Sequence, residues 1–262
     1  MSHLMNNYGR LPVSFAHGQG VWLWDKEGHK YLDALAGIAV NSVGHAHPRL
    51  VRAIADQASK LIHCSNYFNI DLQEQVAEKL VEHSGLEAVF FCNSGLEANE
   101  CAIKIARKFG HAKGIETPNI IVLKPAFHGR SIATLSATGN PSVREDFSPY
   151  TEGFIFVDES DLDGIRKIVE ENKNVVAIFF EPILGEGGVV PIDLSVIKGI
   201  REICDEHDLL MMCDEVQCGM GRSGKWFAHQ WAEIKPDVIT MAKGLAGGVP
   251  VGAVVVSKKA NI

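Results

Sequence analysis

No apolar run in the sequence approaches the roughly 20 residues that a membrane-spanning helix needs. The opening residues, MSHLMNNYGRLPVSFAHG, carry no cationic start followed by an apolar stretch. The expectation is a cytoplasmic protein with no membrane partner. No block of Lys or Arg occurs, and 25 basic against 32 acidic residues give a formal net charge of -7. The electrostatic footprint of a nucleic-acid binder is therefore missing, and a small-molecule partner is expected instead. The six cysteines, Cys64, Cys92, Cys101, Cys204, Cys213 and Cys218, form no C-x-x-C pair and no zinc-type spacing with histidine. They read as reduced, mostly core thiols, and no metal site is expected; His207 and His229 read as surface residues. No internal repeat, low-complexity segment or flexible linker interrupts the 262 residues, a length that can bury a full core in one or two domains.

The segment GVWLWDKEGHKYLD, Gly20 to Asp33, predicts a hairpin, since Asp25 to Gly28 supply turn residues between two aromatic-rich segments. Pro48 suits the first turn of a helix in which Val51, Ile54, Ala55, Ala58 and Ile62 share one face. Asp71 with Glu74 has the spacing of a capping box, ahead of a helix whose Leu72, Val76 and Leu80 share a face. From Ala88 onward six short runs, AVFFCN, NIIVLK, FIFV, VVAIFFE, LLMMCD and DVITM, alternate with helical patterns. Their continuous apolarity predicts an α/β fold with a mostly parallel central sheet and helices on both faces. Ligands in such sheets bind beyond the carboxyl ends of the strands, so the residues found there carry the functional reading.

Each strand end offers a candidate with a plain structural alternative. Ser94-Gly95-Leu96 open a helix whose free N–H groups could hold a phosphate, although Ser94 and Glu97 could equally be a helix cap. Phe127 could stack on a planar ligand and Arg130 could grip a carboxylate, or both could be ordinary loop residues. Glu181 ends another strand, ahead of a glycine loop that carries Glu186. Asp214 could face a protonated heterocyclic nitrogen, with Gln217 on a ring substituent, or could serve as a cap or salt bridge. Lys243 follows an apolar strand among Gly, Ala and Leu residues. It could snorkel to water, or burial could strip its proton and leave a nucleophilic amine. GMGRSG, Gly219 to Gly224, fits a dinucleotide fingerprint only as a string, because Asp237 opens a strand where that motif wants an acid at a strand's carboxyl end.

A phosphate cup, an aromatic plate, an acid for a ring nitrogen, a glutamine and a lysine nucleophile together suit pyridoxal 5'-phosphate. The motifs GIAVNSVGHAHP, NSGLEANE, FHGR, EPILGEGG, DEVQCGMGRSG and AKGLAGG stand in this order along nearly the whole chain. They resemble the class III (ornithine-type) aminotransferases of pyridoxal phosphate fold type I, and within them the acetylornithine aminotransferases. The resemblance implies that Lys243 holds the cofactor as a Schiff base and Asp214 pairs with its pyridine nitrogen. It implies Gln217 at the phenolic oxygen, Phe127 and Val216 against the two ring faces, and Ser94, Gly95 and Leu96 at the phosphate. Many relatives carry a smaller or hydroxylated residue where this chain has Leu96. It further implies Arg130 at the substrate carboxylate and Glu186 as an acidic gate.

Ile38 stands where ornithine aminotransferases typically place a tyrosine, which implies an N-acylated ornithine donor. The expected reaction moves the amino group of N-acetylornithine to 2-oxoglutarate, as in arginine biosynthesis, in a homodimer. Ornithine, succinylornithine or 4-aminobutyrate are alternative donors, a decarboxylase, mutase or racemase is a further alternative, and so is a non-catalytic fragment that keeps the cofactor domain. Residues 1–62 are expected to form a hairpin and helix belonging to a small domain and dimer interface, and residues 63–262 the large cofactor-binding domain. Relatives continue past this length, so the C-terminal small domain is expected to be absent.

Overall fold

Turn chemistry shapes the first part of the polypeptide. A computed structural model describes residues 3–262, and the chain divides into two compact units, Met1–Ser65 and Asn66–Ile262. In the first, β1 (Phe15–Gln19), β2 (Trp22–Asp25) and β3 (Lys30–Leu32) form an antiparallel sheet in that order. The β2–β3 pair is the expected hairpin. Asp25 Oδ1 closes its turn by accepting the N–H groups of Glu27 at 3.0 Å and His29 at 2.8 Å. The strand β1 was not expected, since FAHGQ lacks the apolar alternation that marks a strand. A one-turn element, α1 (Ala36–Ala39), holds Ile38 at φ 62°, a left-handed conformation that a β-branched residue seldom adopts. The helix α2 (Pro48–Ala58) begins on its proline as expected. Its apolar stripe is real but uncovered: Val51 is 54% exposed and Ile54 47%, while Ile62 lies beyond the helix end at 85%.

The second unit opens with α3 (Asp71–Ser84). The expected capping box does not form. Ile70 is the N-cap residue and no side chain caps the helix, so Asp71 and Glu74 act only as acids near its positive end. Of the predicted apolar face, Leu80 is buried, whereas Leu72 and Val76 stay exposed. The chain continues through β4 (Ala88–Cys92), α4 (Gly95–Ala112), β5 (Asn119–Leu123), α5 (Ile132–Ala137), α6 (Pro141–Arg144), β6 (Phe154–Val157) and α7 (Leu162–Glu171). Next come β7 (Val175–Phe180), the short pair β8 (Ile183–Leu184) and β9 (Val190–Pro191), α8 (Leu194–Glu206), β10 (Leu210–Asp214), β11 (Val238–Met241) and β12 (Gly252–Val256).

All six predicted runs are strands of one seven-stranded sheet, ordered β4-β12-β11-β10-β7-β5-β6. Only β12 runs against its neighbours, pairing antiparallel with both β11 and β4. The other six therefore end on one edge of the sheet, where the candidate residues follow. The seventh strand, β12, is not among the six predicted runs, although its GAVVV is as continuously apolar as theirs.

Successive residues of one strand are buried on opposite faces. Ile120 and Val122 of β5 join Phe179, Met212 and Val238 under α4, which brings Ala98, Ala102, Ile103 and Ala106. Ile121 and Leu123 join Ile178, Phe180 and Met211 under α7 and α8, which bring Ile165, Val169, Ile197 and Ile200. This two-sided cover is why the strands read as unbroken apolar runs. Burying each such side chain contributes roughly 1.5–3 kcal/mol, and the alanines spaced along α4 let it lie close to the sheet.

The start of β12 presses on the turn after β4: a Cβ at Gly252 would strike the Ser94 carbonyl oxygen, a backbone atom that cannot swing aside. Gly252→Ala should lower stability by about 1–3 kcal/mol in urea titration. Gly9→Ala, at a glycine with open space around it, should leave the midpoint unchanged; equal effects of the two would refute the close-approach argument.

Candidate active site

Asp214 ends β10 almost wholly buried, at 3% exposure. A carboxylate there needs donors, and three are supplied. Its Oδ2 accepts Asn99 Nδ2 at 2.7 Å and lies 2.8 Å from His128 Nδ1. Because an ionised carboxylate can only accept, Nδ1 carries the proton. Its Oδ1 accepts the Val216 N–H at 3.0 Å. The His128 ring is stacked on Phe179 at 4.0 Å, which fixes its plane. The donors come from α4, from the loop after β5 and from Asp214's own loop.

Lys243 follows β11 by one residue and sits at φ 41°, a strained value for a side chain with a Cβ. Burial pushes its ammonium below the usual lysine range, against the opposing pull of Asp214, Glu181 and Glu186. The neutral amine is correspondingly easier to reach. Gly247 and Gly248 behind it take φ 60° and 120°, values that let the chain turn sharply.

Glycines also bring the walls together. A Cβ on Gly95 would meet Val216 Cγ1 at 2.6 Å and Ala242 Cβ at 3.3 Å, so the start of α4, the Asp214 loop and the Lys243 loop converge. A Cβ on Gly185 would strike the Gln217 amide, which places that side chain against the glycine loop. Leu96 Cγ lies 3.5 Å from the Cβ position of Gly129. Ser94 is in fact a cap, since its Oγ accepts the Glu97 N–H at 3.2 Å. The Glu97 carboxylate answers the Asn93 N–H at 2.5 Å. The N–H groups of Gly95 and Leu96, in the first turn of α4, still lie outside the helical ladder and point from its positive end.

Glu181, directly after β7, staples two of these walls: its Oε1 accepts the Phe127 N–H at 2.8 Å and its Oε2 the Gly185 N–H at 3.0 Å. Burial, reinforced by the Asp214 charge, raises its carboxyl to about 7. Arg130 and Glu186 are both exposed on loops at this edge. Ile38 belongs to the other unit.

Asn99, His128 and Glu181 received no role from the sequence. Glu181 carried the same signal as Asp214, an acid closing an apolar strand; Asn99 and His128 carried none that separates them from helix and loop residues. His229, expected at the surface, is buried with Nδ1 2.7 Å from Glu215 Oε1. The rejected fingerprint GMGRSG lies in turns. Asp237 is engaged by Arg201 Nη1 and the Met211 N–H, both at 2.9 Å. Cys204, Cys213 and Cys218 are buried, and Cys64, Cys92 and Cys101 partly so. No group of His, Cys, Asp and Glu that could hold a metal occurs among the described residues, and no helix among them is long and apolar enough to cross a membrane.

The profile of the class-III aminotransferases matches residues 4–261. An acetylornithine aminotransferase from Nitrosomonas europaea is 54% identical over 260 residues, covering 99% of this chain and 66% of its own length. Among solved structures, N-acetylornithine aminotransferase from Stenotrophomonas maltophilia superposes with a TM-score of 0.84 at 39% identity, covering 97% of this chain and 64% of that one. An ornithine aminotransferase from Toxoplasma gondii, with PLP at partial occupancy in its active site, gives a TM-score of 0.92 at 34% identity, covering 98% and 61%. The chain thus spans just under two thirds of the length of the relatives it matches.

The raised Glu181 carboxyl makes a pH test possible. The folded chain holds this proton more tightly than the unfolded chain, so the associated stability is complete below the ordinary 4.5 and is lost as pH rises through about 7. Glu181→Gln, neutral throughout, should flatten that decline in denaturant titrations at stepped pH. A variant that keeps the parent's slope would show that another group titrates there.

Proposed function

Since the chain belongs to the class-III aminotransferase family, we propose that it binds pyridoxal 5'-phosphate at this edge and moves the amino group of N-acetylornithine to 2-oxoglutarate. The observation that carries this reading is Asp214: a buried acid with three donors, one of whose oxygens, Oδ1, keeps an acceptor position open. A ring N–H suits that position, and the glycine-lined approach of Val216, Ala242 and Gln217 suits a flat ring.

When bound, the cofactor supplies an electron sink for the carbon that bears the donor's amino group. Lys243 would contribute the amine that holds the cofactor covalently, and its Nζ would carry the proton taken from the donor's amine-bearing carbon, a task that suits its lowered pKa. Asp214 keeps the ring nitrogen charged, and Gln217 donates to the ring oxygen. Phe127 and Val216 bracket the ring and exclude water from its faces. The first turn of α4, through Ser94, Gly95 and Leu96, receives the phosphate with backbone N–H groups and a positive helix end. Arg130 is assigned to the donor's carboxylate, which a guanidinium can meet with two parallel N–H bonds, and Glu186 is assigned as the acidic gate.

The donor assignment rests on Ile38, whose side chain leaves no hydroxyl to recognise a free α-amino group, and on the acetylornithine aminotransferases among the relatives. Residues 1–62 are assigned to a small domain and dimer interface, and 63–262 to cofactor binding. The homodimer assignment is supported by the exposed apolar side chains of Tyr67, Phe68 and Phe90. The cytoplasm is the assigned compartment.

Borohydride reduction of the chain incubated with pyridoxal phosphate should fix a pyridoxyl phosphate mass on the peptide containing Lys243, and Lys243→Ala should lose it. A stable adduct on a different lysine would sink the assignment. Assayed against N-acetylornithine, succinylornithine, ornithine and 4-aminobutyrate, the parent should prefer the acylated donors. Ile38→Tyr should shift preference toward ornithine by about tenfold, the scale of one polar contact; an unchanged ranking would remove Ile38 from donor choice.

A further inference from the structure

Asn99 is buried on α4, the helix whose first turn opens the site, and both hydrogens of its amide are spent. Nδ2 donates to Asp214 Oδ2 and to the His128 carbonyl oxygen, each at 2.7 Å. The Oδ1 of the same amide is buried with no partner among the described residues. This orientation is dictated by its neighbours, because a flipped amide would set oxygen against two acceptors. A buried acceptor left unsatisfied has a cost, and the chain tolerates it here to keep both donors on these two oxygens.

The lone pairs of Asp214 show what the arrangement achieves. Oδ2 receives two donors, Asn99 and His128, and has no acceptor position left. Oδ1 receives one, the Val216 N–H. Without Asn99 the carboxylate would be anchored by His128 and Val216 alone, with an open position on either oxygen and freedom to turn about its axis. We propose that Asn99 is a positioning residue: it locks the plane of the Asp214 carboxylate so that a single acceptor position, on Oδ1, is presented to the cofactor's ring N–H. The second bond, to the His128 carbonyl oxygen, holds the amide itself in the orientation that this requires.

This role rests on the cofactor reading above, and the test separates the two. Binding of pyridoxal phosphate and of its 1-deaza analogue, in which carbon replaces the ring nitrogen, is measured by absorbance titration of the 262-residue chain and of Asn99→Ala. Circular dichroism checks that the variant folds, and Asn99→Ser serves in its place if alanine does not. The expected result is that the variant binds pyridoxal phosphate about tenfold more weakly while the deaza analogue, which has no N–H for Oδ1, changes by less than about twofold. Equal weakening of both ligands, or of neither, overturns the positioning role and leaves the cofactor reading standing. A parent chain that binds neither ligand overturns the cofactor reading and this proposal with it.

Discussion

A negative charge buried at the end of a strand is the constraint from which the rest of this site follows. Asp214 is almost inaccessible to water, and an unanswered carboxylate in such a place would take up a proton or unfold its surroundings. The answer comes from three separate pieces of chain: Asn99 on α4, His128 after β5 and the Val216 N–H in its own loop. Holding them within hydrogen-bond distance requires β5, β10 and α4 to meet at one sheet edge. The parallel crossovers deliver this, because each returns the chain to begin its next strand at the opposite edge.

The same edge carries an opposing demand. Lys243 is drawn toward its neutral form by burial and toward its charged form by Asp214, Glu181 and Glu186. Burial prevails there, while at Glu181 burial and the Asp214 charge act together to retain a proton to about pH 7. A lysine lowered by burial near an acid raised by burial is the kind of perturbed pair that marks a candidate functional site. Missing side chains make the approach possible. Gly95 and Gly185 bring Val216 and Gln217 in, and Gly252 lets β12 close the sheet against the Ser94 turn.

The two surfaces of the chain differ in how fully they are satisfied. The central sheet is covered on both faces by its own helices. The apolar stripe of α2 and the ring of Phe68 are exposed. Sequence periodicity reports that a face is apolar, and it does so equally well whether the partner lies in the same chain or elsewhere.

Local sequence alone determined the six parallel strands, the β2–β3 hairpin, the start of α2 at Pro48 and the identity of the residues at each strand end. These are properties of runs, turns and spacings a few residues long. The motif that resembled a dinucleotide loop could also be rejected from its setting. Tertiary structure decided what depends on residues far apart in the chain. It placed β12 antiparallel between β4 and β11, buried His229 against Glu215 and left Asp71 outside any capping box. It also joined Asn99 to Asp214 across 115 positions. A polar side chain carries no mark in its own neighbourhood of the charge it will meet. That meeting is set by the packing of α4 on the sheet, and the sheet's order is a property of the whole fold.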